Sequence, residues 1–268
     1  MRIDKLEIEQ KALRIRQENN ILTCGIKDIF SVIAQVDVDL IRYPFGQDQL
    51  LGFATCFEGR RIIVSNSSEI LSREIFTIAH ELGHIVFDFD DDGNVVKIDK
   101  EFVDDNQDIS EARAHYFASC LLMPEEQIEK FVKYELKKTN NQINALDIVR
   151  IQIEFQVSYA AAVVRLFQIG MINSVQKSIL FNDRNNLTSK AMFHQLEADE
   201  QLLKPSDLIS IPPNFLEYVT SNYENGYIPF SSLEKALLLV GMDASVFKKE
   251  SISSSNEDCM GEKFLELH

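Results

Sequence analysis

The chain has 268 residues, 45% of them hydrophobic and 26% charged, which suits one large domain or two small ones and is too apolar for global disorder. Its net charge of −15 and isoelectric point near 4.8 argue against broad binding to phosphate backbones, which calls for a basic surface. Cys24, Cys56, Cys120 and Cys259 stand far apart with no CxxC pair, giving neither a zinc knuckle nor a disulfide framework. The N-terminus lacks the apolar stretch of a signal peptide, and no segment reaches the roughly 18–20 uncharged apolar residues of a membrane span. A reduced, cytoplasmic protein is the expectation.

In chain order, residues 3–20 read as a polar helix with Ile3, Leu6, Leu13 and Ile15 as a loose apolar set. A second helix is expected over Ile26–Ala34 and a short strand over Val36–Ile41. Leu51–Phe57 and Arg61–Ser65 are β-rich runs around Glu58-Gly59, a hairpin in which glycine supplies the positive φ. Ser65-Asn66-Ser67-Ser68 offers helix N-caps. From Ser72 the period becomes 3.6, with Ile75, Ile78, Ala79 and Leu82 on one face. After an acidic loop, a helix over Ile109–Leu122 ends at Met123-Pro124. Further helices fit 125–138, 144–155 and 158–169, with Gly170 near a C-terminal cap. Residues 176–204 are polar and ambiguous, residues 205–249 look helical, and the tail from Glu250 is serine-rich.

The chemistry concentrates in the 72–87 helix, which carries His80-Glu81-Leu82-Gly83-His84. A spacing of i, i+4 puts both imidazoles on one side, a turn apart, where they can share a Zn²⁺. Glu81 stands beside them, placed to accept a proton from water activated by the ion. HExxH also arises by chance, and paired helical histidines are often plain surface residues. Here Ile78, Leu82 and Ile85 flank the motif and put it at a core boundary, where polar atoms need partners.

A catalytic zinc takes a third protein ligand and keeps a position open for water. Glu111 is the best candidate, early in a helix whose apolar face is Ala114, Phe117, Ala118, Leu121 and Leu122. Asp108-Ile109-Ser110-Glu111 is equally a capping box, in which Glu111 would bond back to a backbone amide, and spacing alone does not decide between the two. His115, one turn on, is a rival ligand or a supporting donor.

HELGH at 80–84, followed by Glu111-Ala112-Arg113-Ala114-His115-Tyr116-Phe117-Ala118-Ser119-Cys120-Leu121-Leu122-Met123-Pro124, resembles the ImmA/IrrE family of zinc metallo-endopeptidases over about residues 5–170. The resemblance implies a zincin-like α+β fold, one catalytic Zn²⁺ on His80, His84 and Glu111, and Glu81 as the catalytic glutamate. His115 departs from the family's usual Asn or Asp. The family's members typically cleave a helix-turn-helix transcriptional repressor, often encoded beside them on mobile elements, so the implied partner is a protein and direct nucleic-acid binding is not expected. The Arg61–Ser65 strand is a candidate for pairing with an extended substrate.

Three weaker signals compete. Asp88 through Asp99 resembles the front half of a calcium loop, but Val96 and Asp99 fit its later positions poorly. Residues 88–111 hold ten carboxylates against Lys97 and Lys100, a solvated loop that would favour a basic partner. Residues 144–170 resemble a helix-turn-helix, yet the second helix offers only Arg165 and Gln168 for reading bases, so packing or protein contact fits better. The expected organisation is a metallopeptidase domain over 1–135, a helix-turn-helix-like subdomain over 136–175 and a mostly helical region over 176–268. A regulator that keeps the metal fold without proteolysis, binding a repressor or DNA, is the alternative; a toxin or antitoxin partner is a remoter one.

Overall fold

The hairpin forms around Gly59, whose φ of 77° makes the turn, and aligns Gly52 with Ser65. Its strands are β2 (Gly52–Phe57) and β3 (Arg60–Asn66), and the computed structural model describes residues 3–47, 49–57, 59–89, 95–98, 109–186 and 188–247. β1 (Asp39–Tyr43) joins β3 in parallel and β4 (Val95–Ile98) joins β2 antiparallel, giving the order β1-β3-β2-β4. β1 starts later than the alternation suggests, because Asp37 takes a φ of 57° in the turn leaving α2 (Ile29–Gln35). The expected substrate-pairing strand, Arg61–Ser65, belongs to β3, which is hydrogen-bonded on both sides and so has no edge to offer.

The 3.6-residue period produces α3 (Leu71–Asp88), which packs on β2 and β3 and buries Ile75, Ile78, Ala79, Leu82 and Ile85. Against its other side lies α4 (Ile109–Leu122), with the predicted face of Ala114, Phe117, Ala118, Leu121 and Leu122 turned inward. Each fully buried large aliphatic or aromatic side chain there contributes about 1.5–3 kcal/mol. The helices touch because position 83 has no side chain: a Cβ there would lie 2.9 Å from the Ala114 Cα.

The serines at 65–68 do not cap α3. Its N-cap is Ile70, without a side-chain bond, and the Leu71 amide donates instead to the Lys204 carbonyl at 2.9 Å. That carbonyl opens a segment, 204–210, that is irregular, with Asp207 at a φ of 47°, where the sequence suggested helix. Ser210 exchanges both backbone bonds with Arg42 on β1, at 2.8 and 3.0 Å. Below it, Arg42 grips the buried Glu74 through two bonds of 2.8 and 2.7 Å, and Ser65 donates to the same carboxylate.

α1 (Lys5–Glu18) packs on α4. After Pro124 come α5 (Glu125–Lys130), α6 (Ala145–Phe155) and α7 (Tyr159–Gln168), then α8 (Ser174–Asn186) and α9 (Ser189–Gln195) in the stretch whose pattern was ambiguous. α6 and α7 bury Ile148, Val149, Phe155, Val163 and Leu166 in the same core as α3. Arg165, one of two base-reading candidates on α7, is buried and donates to the Met123 carbonyl, so it is not presented to DNA. Gly170 follows α7 with a φ of 74°, as expected of a glycine past a helix end.

The chain divides into two units, Met1–Pro212 and Pro213–His268. In the second, α10 (Pro213–Glu224) and α11 (Phe230–Leu239) enclose a small core of Leu233, Leu237 and Ala244. Among the described residues no helix is long and apolar enough to cross a membrane. Most of the acidic loop, half of the calcium-loop positions, Asp108, Cys259 and the serine-rich tail lie outside the described residues.

Candidate metal centre

His80 and His84 leave α3 one turn apart, and Glu111 reaches them from the first turn of α4. The two Nε2 atoms are 3.2 Å apart, and the Glu111 carboxylate places Oε2 at 3.1 Å from His80 and Oε1 at 3.1 Å from His84. Both histidines are buried, while Glu111 is partly exposed. The capping alternative for Glu111 does not describe this arrangement, since both of its oxygens face imidazoles. His115 stands outside the group, exposed, its ring centre 6.4 Å from that of His80 and 5.1 Å from that of Phe76.

The donor set fits a small divalent cation. Tetrahedral bonds of about 2.0–2.1 Å to zinc hold neighbouring ligand atoms about 3.3 Å apart, close to the observed edges. Protonation supports the same conclusion. His84 Nδ1 lies 2.7 Å from Asp88 Oδ2, an acceptor, so Nδ1 carries the hydrogen and the neutral ring's lone pair sits on Nε2, facing the group. A lone pair converging with a carboxylate calls for a positive charge between them, a proton or a metal. Burial draws the His84 imidazolium down, but bonds to Asp88 and Glu111 and the charge of Glu111 and Glu81 outweigh it, leaving it pushed up to about 9. Bonds from His80 and His84 hold the Glu111 carboxyl far below the usual range despite its burial.

Asp88 was grouped by sequence with the acidic loop, and its part here went unnoticed. It is nearly buried at the last position of α3. Besides His84 it accepts from Ser110 Oγ at 2.5 Å and pairs with the Arg113 guanidinium. Burial would raise its carboxyl, yet the bonds from His84 and Ser110 and the charge of Arg113 lower it to about 2. It therefore fixes the tautomer and orientation of His84 and ties the end of α3 to the residues on either side of Glu111. The one legible hint was its i+4 spacing from His84.

Glu81 follows His80 on α3 and is not one of the three converging side chains. It is fully buried beside β2, where a Cβ on Gly52 would come 3.8 Å from the Glu81 Cγ and 2.6 Å from Thr77 Cγ2. The absence of a side chain at position 52 thus lets β2 approach α3 at this residue.

Residues 33–167, half of the chain, match the family model described as IrrE N-terminal-like domain, Peptidase_M78. The chain belongs to this peptidase family. No curated protein matches it. The IrrE-like match runs from within α2 into α7 and so contains the sheet, α3 and α4, the elements that carry His80, Glu81, His84, Asp88 and Glu111. The mixed α+β architecture, with a small sheet on the HExxH helix, suits a zincin-like domain of this peptidase family. Membership supports a protease role, and the three converging side chains form a group able to hold a metal ion.

Proposed function

We propose that this IrrE-like chain is a zinc-dependent endopeptidase that cuts a specific regulatory protein, most plainly a helix-turn-helix repressor. The observation that carries the reading is the convergence of His80, His84 and Glu111, edge lengths 3.1–3.2 Å, on the helix that also bears Glu81. A bound Zn²⁺ would supply Lewis acidity, polarising the scissile carbonyl and lowering the pKa of water towards about 7. His80, His84 and Glu111 would hold the ion. Glu81 is the general base: it takes the proton of the attacking water and hands it to the departing amine. Asp88 keeps the His84 ring in place through this exchange.

The charge of −15 suits a basic partner such as a DNA-binding protein. Mixing the chain with candidate helix-turn-helix repressors, with and without a chelator, is the test. A discrete fragment formed only without chelator, and lost in Glu81→Gln while zinc binding persists, is the expected outcome. Cleavage by Glu81→Gln would refute the assignment, and a stable complex with no cut would make the chain a non-proteolytic binder.

A further inference from the structure

A second polar site lies at the other end of α4. From Glu111 to Cys120 the helix rises about 14 Å, so the site is separate from the metal centre. Here α1, the end of α4, Pro124, the start of α5 and α7 enclose a cavity of about 160 Å³, room for about five waters. Its floor carries two guanidinium groups, Arg16 and Arg165, which are 3% and 2% exposed.

Neither arginine has a carboxylate within ion-pair distance among the described residues. Arg16 donates to the carbonyls of Leu121, Thr23 and Cys24, at 3.0, 2.8 and 2.8 Å. Arg165 donates through Nε to Met123 at 3.0 Å, and its buried Nη1 has no hydrogen-bond partner. Carbonyls at the end of α4 and at 23–24 engage both terminal nitrogens of Arg16, whereas the Met123 carbonyl engages only the Nε of Arg165. Arg165 Cζ also lies 5.6 Å from the Tyr116 ring centre, but neither contact accounts for the unsatisfied N–H at Nη1 beside a cavity, which costs about 1–3 kcal/mol. Guanidinium forks of this kind suit a carboxylate or a phosphate.

The mouth has the opposite sign. Glu125 and Glu126 are exposed there, Glu126 paired with Lys130 at 2.7 Å, and Glu9, which accepts from Tyr116 Oη at 2.5 Å, lines the same space. A bare dianion such as phosphate would pass three carboxylates to reach the arginines. A small zwitterion matches both signs, with its carboxylate on the floor and its ammonium at the mouth.

We propose that this cavity binds a small zwitterion of the α-amino-acid class, carboxylate on Arg165 and Arg16 and ammonium facing Glu9, Glu125 and Glu126. The proposal does not depend on the peptidase reading, because its test requires neither metal nor turnover.

The experiment is calorimetric titration of the full chain, in the presence of chelator, with each of the common α-amino acids and with acetate, methylammonium and inorganic phosphate. At least one amino acid should bind one-to-one, about tenfold or more tightly than acetate, with methylammonium silent. Arg165→Met should weaken it about tenfold or more, and Glu125→Gln with Glu126→Gln, on an exposed rim where folding is not at stake, should weaken it while leaving acetate unchanged. Binding of no amino acid up to millimolar concentration would overturn the proposal. So would acetate or phosphate binding as tightly as the amino acids, or binding unmoved by the rim substitutions. If Arg165→Met does not fold, Arg165→Lys, which keeps the charge and loses the fork, takes its place.

Discussion

Gly83→Ala tests whether the contact between α3 and α4 sets the metal centre. The added Cβ would meet Ala114 Cα at 2.9 Å, Phe117 Cδ1 at 3.1 Å and Ala114 Cβ at 3.2 Å. Ordinary carbon contacts lie at about 3.5–4.0 Å, so α4 must withdraw by roughly 0.6–1 Å. Overpacking of this kind costs about 1–3 kcal/mol, and the gain of alanine over glycine in a helix returns about 1 kcal/mol. Net stability should thus fall by no more than about 2 kcal/mol. Glu111 lies one turn before Ala114 and travels with it, whereas ligand positions tolerate about 0.2 Å. Zinc affinity should therefore drop about 10–100-fold, the range for disturbed ligand supports, in a protein that still folds. Competition with a chromophoric chelator measures the affinity, and far-UV circular dichroism with thermal melting checks the fold. A folded variant with unchanged zinc affinity would refute the idea that helix spacing holds Glu111 in place.

Asp88→Ala should weaken zinc binding about 10–100-fold by releasing His84 Nδ1, and an unchanged chelator competition would remove Asp88 from the site. Glu74→Ala leaves Arg42 buried without its partner, and denaturant unfolding should show a loss of about 3–5 kcal/mol; a loss below about 1 kcal/mol would mean that the pair is not desolvated. Stripping metal with a chelator should lower the melting temperature, since an ion at a hundred times its dissociation constant adds about 2.7 kcal/mol to the native state. A melting temperature indifferent to added zinc would count against the centre.

The helices that carry the chemistry were legible because their signals are local. HELGH sits on a continuous 3.6-residue apolar period, and the inward face of α4 was read residue for residue. The placement of Glu111 was not local: a cap and a ligand share one sequence signature, and only the approach of α4 to α3 brings its carboxylate to His80 and His84. Asp88 was hidden for the same reason, since Ser110 and Arg113 come to it from 22 and 25 residues away. The 204–210 segment was misread because Lys204, Pro205 and Ser210 serve the end of α3 and the edge of β1, neither of which is near in sequence. Strand order is likewise a property of the whole sheet, which is why β3 looked available as an edge.

The charge of the centre bears on how a partner is drawn to it. Asp88 is paired with the Arg113 guanidinium, so with neutral histidines and ionised carboxylates Glu81, Asp88, Glu111 and Arg113 sum to two negative charges. A divalent ion cancels them, and the loaded centre is close to neutral. The remaining negative charge of the chain is spread beyond the site and acts on a basic partner as a long-range field, screened over about 8 Å at physiological salt. Such a field speeds encounter without stabilising the transition state. If the proposed basic partner is the substrate, salt should slow its association while leaving the rate of the bound complex nearly untouched, so that rate would rest on how well α3 and α4 hold His80, His84 and Glu111 together.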